Sequence, residues 1–279
     1  MTYYPVNIEE AVKKECNRRR FSLQTTKTYL YCINRFLNFC KKDLGKISKK
    51  DIRLFLEEMS DKGLSGSSLN TYHMALRFLF TQVLEKRMWL DIKYSKTPKK
   101  LPEVLTKEEV KELIWNIPNH KHKLMVALMY SAGLRVSELI NLKVKELKMQ
   151  RRFGYVRNGK GGKDRIFVIS DRLAPILQQV ITNNNLTGEN YLFTSMRSKK
   201  YSIRSLEKII KTAAKKAGIN KNVHPHTLRH SYATHLIDNG YAVTDVQAML
   251  GHKSPETSLV YVHSSNAKFI NIKSPLDNL

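Results

Sequence analysis

Four short stretches of this chain put basic and polar side chains at predicted helix ends and turns, where they could act on an anion. In Gly133-Leu134-Arg135-Val136-Ser137-Glu138-Leu139, Arg135 directly follows the Ala132-Gly133 break, at a helix start. Glu138 lies three residues on, shares a helical face with Arg135, and can orient the guanidinium. Taken alone, the pair is more simply a surface salt bridge; its position at a helix start favours function. Lys160 occupies the tip of Asn158-Gly159-Lys160-Gly161-Gly162-Lys163-Asp164, whose glycines let backbone approach a phosphate while the lysine remains a mobile donor. A solvated turn lysine is the commoner fate of such a residue. The turn is not a P-loop, because the first glycine at the required spacing is missing and Asp164, not Ser or Thr, follows Lys163.

The third stretch is His224-Pro225-His226-Thr227-Leu228-Arg229-His230. Proline just inside a helix start sets His226 and Arg229 in the first turns, on one face, beside unpaired backbone N–H groups that favour an anion. His226, His230 and His235 could instead be metal ligands, but no H-E-x-x-H pattern is present and the neighbouring cations repel a divalent ion. His230 and His235 are expected to pack or hydrogen-bond within their domain. In the fourth stretch, Met249 to Thr257, Gly251 ends one helix, Ser254 caps the next and Pro255 opens it, leaving His252 on a tight turn. Tyr261 follows nine residues after His252, near the end of that helix. As one of 13 tyrosines it signifies nothing by itself.

These side chains need elements to carry them, and the first ~90 residues read as helices. Tyr29, Ile33, Phe36, Leu37 and Cys40 form one stripe; Ile52, Phe55, Leu56 and Met59 form a second, capped by Ser48 with Asp51 and stopped by Gly63. Leu69, Tyr72, Leu76, Leu79, Phe80 and Val83 form a third. The intervening Lys41, Lys42, Lys46, Lys49 and Lys50 read equally as a solvated loop or as phosphate contacts. Residues 93–104, with two prolines and four lysines, form an extended linker. Thr106 and Glu109 then make a capping box, a further helix runs from about His122 to Ala132, and Gly133 closes it. Residues 153–169 change period: Tyr155, Arg157, Ile166 and Val168 alternate around the glycine-rich tip as a β-hairpin. Helical signals resume at about 171, 202 and 225.

Composition narrows the function. The 279 residues are 42% apolar and 26% charged, enough for a folded core. Formal net charge is +25, with +11 before residue 101 and +14 after it, so the excess is spread over both halves. That distribution suits a polyanion, nucleic acid first and an anionic membrane surface a distant second. No apolar run is long enough to span a bilayer, and residues 1–15 lack a signal core. Cys16, Cys32 and Cys40 lack metal-ligand spacing and read as thiols of a reducing compartment, so a cytoplasmic protein is expected.

Together the pieces resemble the tyrosine recombinase (phage integrase) family. The matching words are GLRVSEL at 133–139, GKGGKDR at 159–165, HPHTLRHSYATHL at 224–236 and LGH at 250–252, followed by Tyr261. The spacings agree, three from His226 to Arg229 and 23 to His252, and the length is most similar to the Xer subgroup of chromosome-dimer resolvases. The resemblance implies a mainly α protein. Residues 1–92 would be a helical core-binding (SAM-like) domain, 93–104 a linker, and 105–279 an α-rich catalytic domain of the integrase fold with a small antiparallel β-sheet. From about 264 the chain would contact a neighbouring subunit.

It also implies chemistry. Tyr261 would be the nucleophile, forming a 3′-phosphotyrosyl link and freeing a 5′-hydroxyl. Arg135 and Arg229 would clamp the non-bridging oxygens, Lys160 would protonate the leaving oxygen, His226 would assist proton transfer from Tyr261, and His252 would hydrogen-bond a phosphate oxygen. Glu138 would fix Arg135 from behind. Neither cofactor nor metal is implied. The partner is double-stranded DNA at two recombination sites, with two domains closing on the duplex as a clamp. The assembly would be a homotetramer on DNA and a monomer or weak dimer without it, and an accessory recombinase or activating protein is conceivable. Rival readings are a mobile-element integrase, a relaxing topoisomerase with a similar site, or a basic architectural DNA-binding protein without activity.

Overall fold

A computed structural model describes residues 7–86, 95–96, 102–157, 164–195, 200–251 and 274–278. The chain divides into two compact units, Met1–Lys100 and Leu101–Leu279.

The described part of the first unit is helical: α1 (Ile8–Arg18), α2 (Leu23–Cys40), α3 (Lys49–Asp61) and α4 (Gly66–Phe78), prolonged by a π-helical turn at Leu79–Val83. Each helix starts where a short polar side chain satisfies an orphan N–H: Asn7, Ser22, Ser48 and Ser65 are the N-caps. Ser48 and Asp51 form the full capping box. The anticipated stripes meet in one core, where Phe36 packs edge-on against Phe55 and Phe80 and Ile33, Ile52 and Leu76 are fully enclosed. Within the lysine run, Lys42 pairs with Asp51 at 2.6 Å and Lys46 with Asp43 at 3.2 Å, which ties part of it to surface carboxylates.

In the second unit α5 (Lys107–Trp115) opens on the Thr106–Glu109 capping box, and α6 (His120–Ser131) is buried almost all round from Leu124 onward. The short α7 (Val136–Asn141) follows the Gly133 turn. An antiparallel sheet has the order β1 (Leu147–Lys148), β2 (Phe153–Val156), β3 (Arg165–Val168). Next come α8 (Ala174–Asn183), α9 (Ile203–Lys216), α10 (Pro225–Asp238) and α11 (Val243–Leu250). Helix α6 lies at the centre, packed on α5, α7, α9 and α10, so the loops at its C-terminal end are held from several sides.

Three features go beyond what the spacing of residues announced. The hairpin exists, and the structure selects its inner face: Gly154, Val156, Arg165 and Phe167 are buried, whereas Tyr155, Ile166 and Val168 are half-buried. Gly154 permits this, because a Cβ there would lie 2.3 Å from the Phe167 ring opposite. β1 is a third strand that two residues were too few to announce. Last, Ser274–Asp277, the end of the segment expected to reach a neighbouring subunit, pack on their own chain. Ser274 Oγ donates to Ser131 O at 2.7 Å, Leu276 is buried in the core, and the Asp277 carboxylate accepts from Ser170 Oγ and the Arg172 N–H. Residues 264–273 lie outside the described residues.

Candidate active site

The site grows from the C-terminal end of α6. Gly133 turns the chain at φ +56°, and a Cβ there would lie 2.5 Å from the Tyr232 ring. Only glycine meets both demands. The turn delivers Arg135 as the N-cap residue of α7 and Glu138 into its first turn, where the helix dipole favours a carboxylate. Glu138 Oε2 accepts the Arg135 backbone N–H at 2.9 Å and Oε1 accepts Arg135 Nη1 at 2.7 Å. The salt bridge is therefore a largely buried one, with the Glu138 side chain 4% exposed and that of Arg135 19%.

Two more guanidinium groups close on the same carboxylate. Arg165, the first residue of β3, donates Nη2 to Glu138 Oε2 at 2.7 Å, and Arg229 Nη1 lies 3.8 Å from that oxygen. Three cations share one anion, so the cluster keeps an excess of positive charge in a poorly solvated place. Burial acts to raise the Glu138 pKa, but the Arg165 charge, the Arg135 N–H and the two guanidinium hydrogen bonds together bring it down to about 2. The carboxylate thus stays ionised from the ordinary range down to strongly acidic solution, and the stability it confers is lost only as pH falls from the usual carboxylate value towards that figure.

Arg229 comes from α10. His224 caps that helix through Nδ1, which accepts the Thr227 N–H, and Pro225 occupies its first position. The Arg229 side chain turns inward: Nη1 donates to Gly133 O and Nη2 to Leu250 O. Those anchors fix the plane of the fork and leave its remaining N–H groups without a partner among the described residues. Burial, reinforced by the Arg165 and Arg135 charges, lowers its pKa to about 9, so it remains cationic at neutral pH. An anion placed against it would relieve that strain.

His226 lies in the same first turn but faces outward, its ring centroid 6.2 Å from that of His224. Partial desolvation, then His224, His230, Arg229 and Arg135, hold its pKa below the ordinary 6.5. His235 fulfils the packing expectation, hydrogen-bonded through Nδ1 to the Tyr130 hydroxyl at 2.8 Å, whereas His230 is exposed at the outer face of α10. Lys160, His252 and Tyr261 lie outside the described residues. Their flanks are described: an Arg157–Asp164 ion pair of 2.5 Å spans the base of the hairpin tip, and α11 ends at Leu250 with Gly251 at φ +66°.

The structure therefore gathers Arg135, Glu138 and Arg229 round the Gly133 turn, with the C-terminal end of α11 against them. It adds Arg165, which lay within a matching word of the sequence but drew no role. Its signal was faint: an arginine two residues before Phe167 on a strand takes the same face, and that face is the buried one.

Two family models match most of the chain. Residues 103–268 match the phage integrase family and residues 8–90 match the N-terminal SAM-like domain of phage integrases. A tyrosine recombinase of Thermosipho africanus is 35% identical over 270 residues, covering 91% of this chain and 94% of that one. The chain belongs to the phage integrase family. The recombinase is also 38% identical over 247 residues to the tyrosine recombinase XerA of Pyrococcus furiosus, covering 86% of this chain and 83% of that protein. Its fold is shared with the XerH site-specific recombinase, solved bound to its difH substrate before cleavage: TM-score 0.70, 24% identity, 93% of this chain and 82% of that one. It is accordingly an enzyme that cleaves and rejoins DNA in site-specific recombination. Among the described residues, no helix is long and apolar enough to cross a membrane.

Proposed function

We propose that the recombinase exchanges strands between two duplex DNA sites through a covalent 3′-phosphotyrosyl intermediate, as a Xer-type homotetramer that resolves chromosome dimers in the cytoplasm. The observation that carries this reading is the convergence of Arg135 and Arg229 on the Gly133 turn, each fixed by buried hydrogen bonds. Preorganised forked donors in a poorly solvated place suit the charge that builds on non-bridging phosphate oxygens during transesterification.

In the proposed step the Tyr261 oxygen forms a bond to phosphorus as the bond from phosphorus to the 5′-oxygen breaks. The phenol proton passes to His226 and Lys160 supplies a proton to the departing 5′-oxygen, while His252 hydrogen-bonds a phosphate oxygen. The phosphodiester is conserved as a phosphotyrosyl ester, so religation by a 5′-hydroxyl needs no nucleotide triphosphate. Glu138 keeps Arg135 in place and stays ionised throughout the working range. The relatives' names, XerA among them, and the XerH–DNA structure support the role and the duplex partner.

A duplex nicked close to its cleavage position, so that the released fragment diffuses away, tests the reading. Incubation should yield a denaturant-resistant adduct, and proteolysis with mass spectrometry should find the nucleotide on Tyr261. Salt-sensitive retention with no adduct would instead identify a DNA-binding protein without activity. Recombination between two plasmid sites, against mere relaxation, separates recombinase from topoisomerase.

The His226 role also sets a pH dependence. A depressed pKa keeps the imidazole neutral, and able to take a proton, to lower pH than usual. The acid limb of kcat/KM for cleavage should therefore fall below pH 6.5, and His226→Gln should remove that limb along with most of the rate. A limb above 6.5 that persists in the variant would assign it to another group.

A further inference from the structure

Arg165 is a buried cation that the proposed chemistry leaves idle. Its side chain is 5% exposed, and its hydrogen bonds reach separate parts of the site. Nη2 donates to Glu138 Oε2 at 2.7 Å and approaches Gly133 O at 3.3 Å, while Nη1 donates to Met249 O at 2.9 Å. Its Cδ lies against the end of α11, 3.2 Å from where a Cβ on Gly251 would stand. Arg229 makes a matching set from α10, to Gly133 O and to Leu250 O. The two forks thus hold one shared carbonyl and two successive carbonyls at the C-terminal end of α11, where the helix dipole favours cations. Nε of Arg165 is buried without a partner among the described residues, so the group is not there to satisfy itself.

A buried ion pair is poor evidence of a stabilising role, because replacing both partners with apolar side chains of similar volume is often neutral, and Glu138 would keep Arg135 and Arg229 if Arg165 were lost. What an apolar side chain cannot do is join a carboxylate at the start of α7 to a carbonyl at the end of α11 from the first residue of β3. Those are the elements on which the site depends. β3 leads back to the tip that bears Lys160, α7 carries the partner of Arg135, and α11 runs into the turn before His252.

We infer that Arg165 is a positioning residue for strand cleavage, holding β3, the Arg135–Glu138 pair and the end of α11 in one register. The inference rests on the function proposed above and deepens it. Arg165 touches no substrate atom; it acts by fixing where Glu138 and the last turn of α11 stand. A misplacement of about 1 Å at such a site can cost roughly a hundredfold in rate.

The test compares Arg165→Met and Arg165→Lys with the unaltered protein in single-turnover cleavage of the nicked duplex, alongside duplex affinity and thermal melting. Arg165→Met leaves Glu138 with Arg135 and Arg229, so it should stay folded at the assay temperature and bind the duplex with equal affinity. Its cleavage rate at saturating DNA should nevertheless fall by about a hundredfold. Arg165→Lys keeps the charge but cannot bridge Glu138 and Met249 at once, so it should recover only part of that rate. The loss should appear in kcat and not in KM, a split that a merely structural role would not produce. Cleavage by either variant at the parent rate overturns the inference. So does a loss matched by equal losses of affinity and melting temperature. Should Arg165→Met not fold, Arg165→Lys alone decides by the same kcat criterion. Failure of the unaltered protein to form any adduct would refute the proposed function itself, a result distinct from all of these.

Discussion

Tyr261→Phe should bind duplex DNA as tightly as the parent protein and form no covalent adduct. The substitution removes one oxygen and keeps the ring, so duplex binding should be spared while the oxygen proposed to bond to phosphorus is lost. Duplex affinity is set by the many basic side chains behind a net charge of +25, to which a phenol contributes nothing. Gel retention at several salt concentrations should therefore superimpose for the two proteins, with the same slope. Denaturing electrophoresis of the nicked-duplex reaction should show the shifted band for the parent alone. Residual adduct in the variant would mean that another side chain is the nucleophile, and the reading of the LGH turn and Tyr261 would have to be abandoned.

The second large effect concerns Arg229→Gln. The fork now spans Gly133 O and Leu250 O and still has N–H groups to offer a phosphate. Glutamine has one amide nitrogen on a shorter stem and no charge, so it can neither bridge those carbonyls nor neutralise an oxyanion. Loss of a preorganised donor of this kind costs about 2.7–4 kcal/mol of transition-state stabilisation, equivalent to roughly 10²–10³ in kcat. Single-turnover cleavage at saturating DNA should slow by at least that factor. Only one phosphate contact disappears from the binding interface, so affinity should weaken modestly and the salt slope should shrink by about one unit. Arg229→Lys should fall between the two, since it restores charge without the planar fork. A cleavage rate within a fewfold of the parent would show that Arg229 serves the fold and not the reaction.

These effects differ in how far a reader of the sequence could have foreseen them. Arg135 with Glu138 was legible, because an i, i+3 pair after a glycine break is a local pattern, and the α7 capping box is its local consequence. The Thr106–Glu109 and Ser48–Asp51 boxes were legible for the same reason. Arg229 was legible as a residue of an early helical turn but not as a buried one; the partners that bury it lie 96 and 21 residues away. His230, one residue on, faces outward despite its expected packing, because a step of one position on a helix turns a side chain by about 100°. The hairpin was legible and its inner face was not. Alternation gives two equivalent faces, and the choice fell to the one where Phe167 covers Gly154 and Arg165 meets Glu138.

By itself the sequence determined the family, most of the apolar helical stripes, the capping boxes at Ser48 and Thr106 and the identity of the polar residues, all of which are written in short-range spacing. Tertiary structure alone decided that three guanidinium groups share Glu138, that Arg165 belongs to the site, and that Ser274–Asp277 fold back on their own chain. Those outcomes depend on which distant carbonyls and carboxylates remain unsatisfied once α6, α10 and α11 have packed. Burial makes an unpaired charge costly, so the cations go where the acceptors are, and no local pattern records that place.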